Sequence, residues 1–188
     1  IGGFEVGFAQ AGHETVAICE CWEPAVAVLR ARLPGVPVHP DVRTLEDLPQ
    51  DTELLCGGFP CQPVSVAGKR LGNKDPRWLW PEFARIIRVV RPRYVLVENP
   101  TGLLSRGMDE VLGDLAALGY DAEWDCIPAA AFGAPHVRDR VWVVAYPCGS
   151  GLQVWPTEEQ QSEILAALRL DWWNSEPSVG RVAHGIPN

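Results

Sequence analysis

The chain has 188 residues, of which 47% are hydrophobic and 21% are charged, an ordinary composition for a globular domain with a sizeable core. No stretch approaches the roughly 20 apolar residues of a membrane-spanning helix. No secretory signal is visible, so we expect a cytoplasmic protein with no membrane partner. The six cysteines lack zinc-site spacings, so we expect reduced thiols and no metal. The net charge is −8, which argues weakly against nucleic acid, but residues 66–106 hold nine basic and three acidic residues and keep that partner possible.

Short apolar runs alternate with helical segments along the chain, which is typical of a mostly parallel α/β sheet. In chain order the pattern predicts a helix over 3–12, a strand over 15–20, a helix over 23–35, strands over 36–42 and 53–58, a helix over 78–90, a strand over 93–100 and a helix over 108–119. Strands over 120–127 and 139–147 are expected to pair as an antiparallel hairpin at the sheet edge. A capping box at Thr157 and Gln160 predicts a last helix over 158–170.

The most reactive candidate is Cys61, which follows Pro60 just beyond a predicted strand. The nucleophilic form of cysteine is the thiolate, and a free thiol has a pKa of about 8.5, so a reactive cysteine needs positive charge or backbone N–H groups nearby. Lys69 and Arg70 follow on the same segment and can supply that charge. We therefore interpret Cys61 as a candidate nucleophile and Cys56 as a structural cysteine.

Charged side chains stand at the ends of other predicted strands. Glu98 closes a buried strand, where it could be a helix cap, a salt-bridge partner, or a proton donor whose pKa is raised by burial. Arg138 and Arg140 are two apart at a strand start, so they point to the same side, and one can clamp Glu98 while the other faces a substrate oxygen. Glu20 also ends a strand. Because ligands bind outside the carboxyl ends of parallel strands, we expect these groups on one rim of the sheet.

Five segments, taken in order, resemble the cytosine-C5 DNA methyltransferases of bacterial or phage type. IGGFEVGFAQAGH is similar to the second half of that family's glycine-rich cofactor loop, GGFPCQPVS to its nucleophile loop, VENPTGLL to its Glu-Asn segment, FGAPHVRDRVW to its Q-x-R-x-R segment and GRVAHGIPN to the segment after its target-recognition region. Pro100 stands where the family usually has valine, and His136 stands where it has glutamine. The resemblance implies that the family's extreme N- and C-terminal segments, a first strand and a closing G-N-A segment, lie outside this sequence.

The resemblance implies a doubly wound, mostly parallel Rossmann-like methyltransferase sheet with an antiparallel edge strand. It assigns residues 1–146 to an S-adenosylmethionine-dependent catalytic domain, 147–178 to a short target-recognition region and 179–188 to a return segment. The implied reaction is DNA cytosine-5 methylation of the kind found in restriction-modification, and the implied partner is double-stranded DNA with a flipped-out cytosine. The expected setting is cytoplasmic and nucleoid-associated, and no oligomeric state is predicted.

The resemblance also implies a role for each matching catalytic residue. Cys61 would attack C6 of cytosine and make C5 nucleophilic. Glu98 would hold and protonate N3, Arg140 would contact the base O2, and Arg138 would position Glu98. The implied DNA-binding residues are Gln62, Ser65, Lys69 and Arg70.

S-adenosylmethionine is the implied cofactor. Glu20 would bind the ribose hydroxyls and Asp41 the adenine amino group, while Gly2 and Gly3 would let the backbone approach the methionine part. Cys21 stands where the family often has a large residue after the ribose glutamate. Stacking on the adenine ring would therefore be weaker, or Trp22 would provide it. The complete implied set is Gly2, Gly3, Glu20, Cys21, Asp41, Val42, Gly58, Pro60 and Leu79.

Three alternatives stay open at this point. The chain could be an RNA cytosine-C5 methyltransferase with the same chemistry, or a truncated, non-catalytic DNA-binding derivative of the enzyme. A cysteine hydrolase with His136 as its base is also possible, although no helix-borne histidine is an obvious partner for Cys61.

Overall fold

The computed structural model of the chain describes residues 1–60 and 77–150. The helices there are α1 Gly3–Gln10, α2 Glu23–Arg32, α3 Trp80–Val90, α4 Leu103–Arg106 and α5 Met108–Ala117. The strands are β1 Ile18–Cys19, β2 Val38–His39, β3 Leu54–Gly57, β4 Tyr94–Pro100, β5 Tyr120–Pro128 and β6 Asp139–Pro147. Short 3-10 turns form at Val42–Thr44 and Ala129–Phe132. The helix predicted over 158–170 lies outside the described residues.

The four helices predicted before residue 120 are confirmed, with differences only at their ends. Gly12 and Gly119 take positive φ values of 87° and 80° just after α1 and α5, a conformation that glycine adopts without strain. Pro24 lies in the first turn of α2, where its missing N–H costs nothing. The four-residue helix α4 was not predicted, because it is too short to show a periodic pattern. In the described ranges, no helix is long and apolar enough to cross a membrane.

The first two strands are shorter than their apolar runs predicted. β1 and β2 pair in parallel through only two residue pairs, Ile18 with Val38 and Cys19 with His39. A strand extends only as far as its backbone groups find ladder partners. β1 and β2 therefore form a small sheet of their own within the described part of the chain.

The second sheet has four strands in the order β3-β4-β6-β5. β3 and β4 are parallel, whereas β6 is antiparallel to both of its neighbours. The predicted antiparallel hairpin is thus confirmed, with β5 as the edge strand and β6 inserted next to β4. The α/β class is also confirmed, as a mixed sheet in which the parallel pair β3–β4 joins this hairpin.

The four-stranded sheet separates a core face from a site face. On the core face, alternate residues of β4 and β6 are buried against α3 and α5, and the fully buried members include Val97, Val143, Ile87 and Leu115. On the site face, Glu98 of β4 lies directly opposite Trp142 of β6. Phe4 of α1 meets the Trp142 ring edge-on at 5.9 Å between centroids. Helices thus cover both faces, and Glu98 lies on the same face as α1.

Candidate functional site

The site forms where the parallel strands β3 and β4 end side by side. Gly57, the last residue of β3, pairs with Val97, so Gly58 comes next to Glu98. A Cβ atom on Gly58 would lie 2.9 Å from the Glu98 carbonyl oxygen and 3.2 Å from Glu98 Oε2. The two strand ends can approach this closely only because residue 58 has no side chain. Glu98 Oε2 is therefore directed over the backbone that leads into residue 61.

Glu98 is held by an arginine of the neighbouring strand. Nε of Arg140 lies 2.7 Å from Glu98 Oε1, and the two side chains are 21% and 25% exposed. The antiparallel register that pairs Pro100 with Arg140 brings the guanidinium to the carboxylate. Two-residue alternation places Arg140 and Trp142 on the same face of β6.

The two predicted arginine roles need a correction. The arginine in contact with Glu98 is Arg140, whereas the sequence reasoning assigned the positioning of Glu98 to Arg138. Arg138 is exposed and precedes β6, with a left-handed backbone at φ 41°. The sequence reasoning allowed one of the two arginines to hold Glu98, and in the structure that arginine is Arg140.

Asn99 is a site residue that the sequence reasoning did not include. It is 1% exposed, and its Nδ2 donates a hydrogen bond of 3.1 Å to the Phe59 carbonyl. Its Oδ1 is buried and has no hydrogen-bond partner among the described residues. Asn99 fixes the backbone just before Pro60 to the strand that carries Glu98. The signal was present in the sequence, because an amide follows Val95 and Val97 in the buried register of an otherwise apolar strand.

A second group of polar residues lies at the ends of β1 and β2. Glu20 follows β1, and its Oε1 accepts a hydrogen bond of 2.8 Å from the Trp22 N–H. Asp41 follows β2 and accepts from the backbone and side chain of Arg43, which holds the pKa of its carboxyl group below the ordinary value. Partial burial, with Asp41 as the next cause, raises the pKa of Cys19 to about 11. Because Asp41 acts on this thiol, the ends of the two strands are close enough for their charges to interact.

The start of α1 lies close to α2. Gly2 has a positive φ of 77°, and among the described residues a Cβ there would meet Leu29 Cδ2 at 3.8 Å and Glu5 Oε2 at 3.9 Å. A Cβ on Gly3 would meet no described atom within 4 Å. Burial raises the pKa of Cys56 in β3 to about 11, and the charge of Glu5 in α1 adds to that shift.

Besides Gly2 and Gly3 at the start of α1 and Arg138 before β6, the predicted site residues fall into the following groups. Gly58, Pro60, Glu98 and Arg140 lie together at the β3–β4 end, and Glu20, Cys21, Asp41 and Val42 follow β1 and β2. Leu79 precedes α3 and packs against the core. Outside the described residues lie Cys61, Gln62, Ser65, Lys69, Arg70, the predicted return segment 179–188 and all of the predicted target-recognition region after residue 150.

The described donor set fits a nucleoside-containing cofactor better than a metal ion. Two carboxylates that follow adjacent parallel strands can accept hydrogen bonds from ribose hydroxyls and an adenine amino group. The uncrowded glycines at the start of α1 leave room for close backbone contact. Over residues 1–60 and 77–150, no group of three or more His, Cys, Asp or Glu side chains could hold a metal.

Comparison with protein families and solved structures gives a consistent picture. A family model described as C-5 cytosine-specific DNA methylase matches residues 1–176. The Type II methyltransferase M.NgoMIV of Neisseria gonorrhoeae is 37% identical over 150 residues, which cover 77% of this chain and 48% of that protein. M.NgoBV of the same species is 34% identical over 163 residues, covering 76% of this chain and 38% of the relative. The chain thus spans about half the length of these relatives, or less.

Two solved structures share the fold. A prophage-encoded putative DNA modification methyltransferase of E. coli superposes with a TM-score of 0.66 at 22% identity, covering 81% of this chain and 46% of that one. A mutant of Spodoptera frugiperda DNMT2 superposes with a TM-score of 0.64 at 21% identity, covering 84% and 50%. At these identities the superpositions support the architecture of the sheet and its helices.

Proposed function

The chain belongs to the C-5 cytosine-specific DNA methylases, and on that premise we propose that it transfers a methyl group from S-adenosylmethionine to C5 of a cytosine in double-stranded DNA. The observation that carries the proposal is the Glu98–Arg140 pair beside the glycine end of β3. That arrangement places a carboxyl group next to the backbone that leads directly to Cys61.

Carbon 5 of cytosine is a poor nucleophile until covalent addition breaks the aromaticity of the ring. The Cys61 thiolate bonds to C6, the π electrons of C5–C6 move to C4–C5, those of C4–N3 move to N3, and N3 takes a proton from Glu98. S-adenosylmethionine, when bound, would supply an electrophilic methyl group for C5 and leave as S-adenosylhomocysteine. A base then removes the C5 proton, the electrons of that bond re-form the C5–C6 double bond and expel the Cys61 thiolate, and N3 returns its proton to Glu98.

Glu98 suits this role because its two oxygens have different surroundings. Oε1 is engaged by Arg140 at 2.7 Å, which holds the carboxyl plane in place. Oε2 lies 3.2 Å from the position that a Cβ on Gly58 would occupy, and glycine leaves that position open. We assign Oε2 to the base N3. We assign Arg140 to the support of Glu98 through Nε, and its Nη2 to the base O2, because Nη1 donates to the Asp139 carbonyl at 2.8 Å.

The remaining assignments follow the same premise. A base inside a duplex cannot reach a thiol, so the cytosine must be flipped out of the helix. Gln62, Ser65, Lys69 and Arg70 are proposed contacts to the opened DNA, and the two cations among them suit phosphates. This activity would act on nucleoid DNA in the cytoplasm.

For S-adenosylmethionine we propose Glu20 at the ribose, Asp41 at the adenine amino group, and Gly2 and Gly3 at the methionine part. Cys21, Val42, Gly58, Pro60 and Leu79 would complete the pocket. Asp41 already accepts hydrogen bonds from Arg43, so Arg43 orients the carboxylate that the adenine amino group would share.

Covalent trapping tests the proposal directly. Duplex DNA containing 5-fluorocytosine and S-adenosylmethionine are incubated with the protein, and the products are separated by denaturing electrophoresis. We expect a covalent complex, because fluorine cannot leave as the C5 proton does. Cys61→Ala is expected to form none, and a matched fluorinated RNA duplex is expected to trap at least tenfold less. A protein that binds the cofactor and the DNA without forming the complex would refute Cys61 as nucleophile, and faster trapping of RNA would move the substrate to RNA.

A further inference from the structure

Three aromatic residues, which we call the aromatic clamp, flank the segment that carries Cys61. Phe59 precedes the segment, and Trp78 and Trp80 follow it. The Phe59 and Trp78 rings meet edge-on with centroids 4.9 Å apart, and Phe59 also lies 5.7 Å from Trp80. Phe59 is 5% exposed and Trp78 is 7% exposed. The two points at which residues 61–76 join the described fold are therefore in direct contact.

Trp78 also contacts α5 and the glycine that precedes it. Its Nε1 donates a hydrogen bond of 2.9 Å to Glu110 Oε1 in α5. Gly107 precedes α5 with φ 154°, and a Cβ there would lie 2.5 Å from Cη2 of the Trp78 ring. The ring thus occupies a space that exists because residue 107 is glycine. Packing and a directional hydrogen bond together fix the orientation of the indole ring.

The clamp continues to the proposed proton donor. The Phe59 carbonyl accepts the Asn99 side-chain amide at 3.1 Å, and Asn99 follows Glu98 in β4. A connected series of contacts therefore runs from Glu110 through Trp78 and Phe59 to the strand that carries Glu98.

We propose that Trp78 is a positioning residue for the methyl-transfer reaction, which fixes Phe59, two residues before Cys61, against the strand that carries Glu98. The inference rests on the proposed function, since it assigns Trp78 an effect on the thiol of that reaction. Trp78 contacts neither base nor cofactor in this assignment. It acts through its ring contact with Phe59 and through the backbone that it holds in place next to residue 77. Small displacements of the attacking atom matter, because covalent attack needs a defined geometry.

Trp80, the first residue of α3, provides a matched control two residues further along the chain. Its Nε1 donates a hydrogen bond of 2.8 Å to Asp114 Oδ2, also in α5, and its ring is completely buried. Trp78→Phe and Trp80→Phe each keep an aromatic ring and remove one indole–carboxylate hydrogen bond. A purely structural role predicts similar losses of stability and similar, small losses of activity for the two variants.

The experiment measures the rate of covalent trapping at saturating 5-fluorocytosine DNA and S-adenosylmethionine, at a temperature where circular dichroism shows both variants folded. We expect Trp78→Phe to slow trapping about tenfold or more with little change in the KM for DNA, and Trp80→Phe to slow it less than about threefold. Glu110→Gln keeps an acceptor oxygen for the indole and should trap at nearly the wild-type rate. Equal effects of Trp78→Phe and Trp80→Phe would overturn the inference.

A second readout separates this inference from the proposed function. Iodoacetamide labelling of Cys61, followed by peptide mass spectrometry with Cys56 as the internal reference, needs no catalysis. We expect Trp78→Phe to change the labelling rate of Cys61 at least threefold and Trp80→Phe to leave it unchanged. Failure of the wild-type protein to trap would refute the proposed function alone, whereas unchanged Cys61 labelling in Trp78→Phe would refute the positioning role.

Discussion

The contact between Glu98 and Arg140 should be measurable as a coupling free energy. The perturbation is a double-mutant cycle of Glu98→Gln, Arg140→Gln and the double variant, because glutamine removes the charge of each side chain and, at residue 98, also keeps its shape. At 2.7 Å the Coulomb attraction of two unit charges is about 1.5 kcal/mol in water and about 6 kcal/mol at an effective dielectric constant of about 20. The side chains are 25% and 21% exposed, so screening and the cost of leaving water cancel much of that attraction.

The expected coupling lies between two measured classes of interaction. Exposed ion pairs contribute about 0.2–1 kcal/mol, and hydrogen bonds to charged groups contribute about 1.5–3 kcal/mol. For this half-buried, charge-assisted contact we expect a coupling of about 1–2 kcal/mol from urea unfolding of the four proteins at pH 7. Arg138→Gln is the control, because Arg138 is exposed and should couple to Glu98 by less than about 0.3 kcal/mol. A coupling for Arg140 as small as this control would refute the reasoning.

Two further predictions concern the strand ends. Gly58→Ala places a Cβ 2.9 Å from the Glu98 carbonyl oxygen and should lower the free energy of unfolding by about 1–3 kcal/mol, whereas Gly113→Ala, with nothing within 4 Å, should be neutral or stabilising in chemical denaturation. Burial, with Glu5 as the smaller cause, raises the pKa of Cys56 from 9.0 to about 11. The thiol therefore ionises at a lower pH in the unfolded chain than in the folded protein. Its contribution to the free energy of unfolding is complete below about pH 9 and falls as the pH rises to about 11. Urea unfolding across that range should show a smaller fall of the free energy of unfolding in Cys56→Ala than in the wild type, and an identical fall would mean that the thiol is not shielded.

Sequence alone determined the order of the elements and the chemistry available at their ends. Apolar runs bounded by turn residues predicted β3, β4 and the β5–β6 hairpin, because strand formation there depends on local pattern and on hydrophobic burial. The same pattern placed Glu20 and Glu98 at strand ends and Cys61 just beyond one. The motifs around Cys61, Glu98 and Arg140 then predicted the family that the comparisons confirm.

Tertiary structure decided which of these groups meet. Arg138 and Arg140 are equivalent by spacing, and only the register of β6 against β4 selects Arg140 as the partner of Glu98. The short lengths of β1 and β2 likewise depend on ladder partners and not on their own residues. Trp78 and Glu110 are 32 residues apart in the chain, with no periodic relation. Their hydrogen bond exists because α3 and α5 pack on the same face of the sheet, and a long-range contact of this kind follows from packing, which no local pattern records.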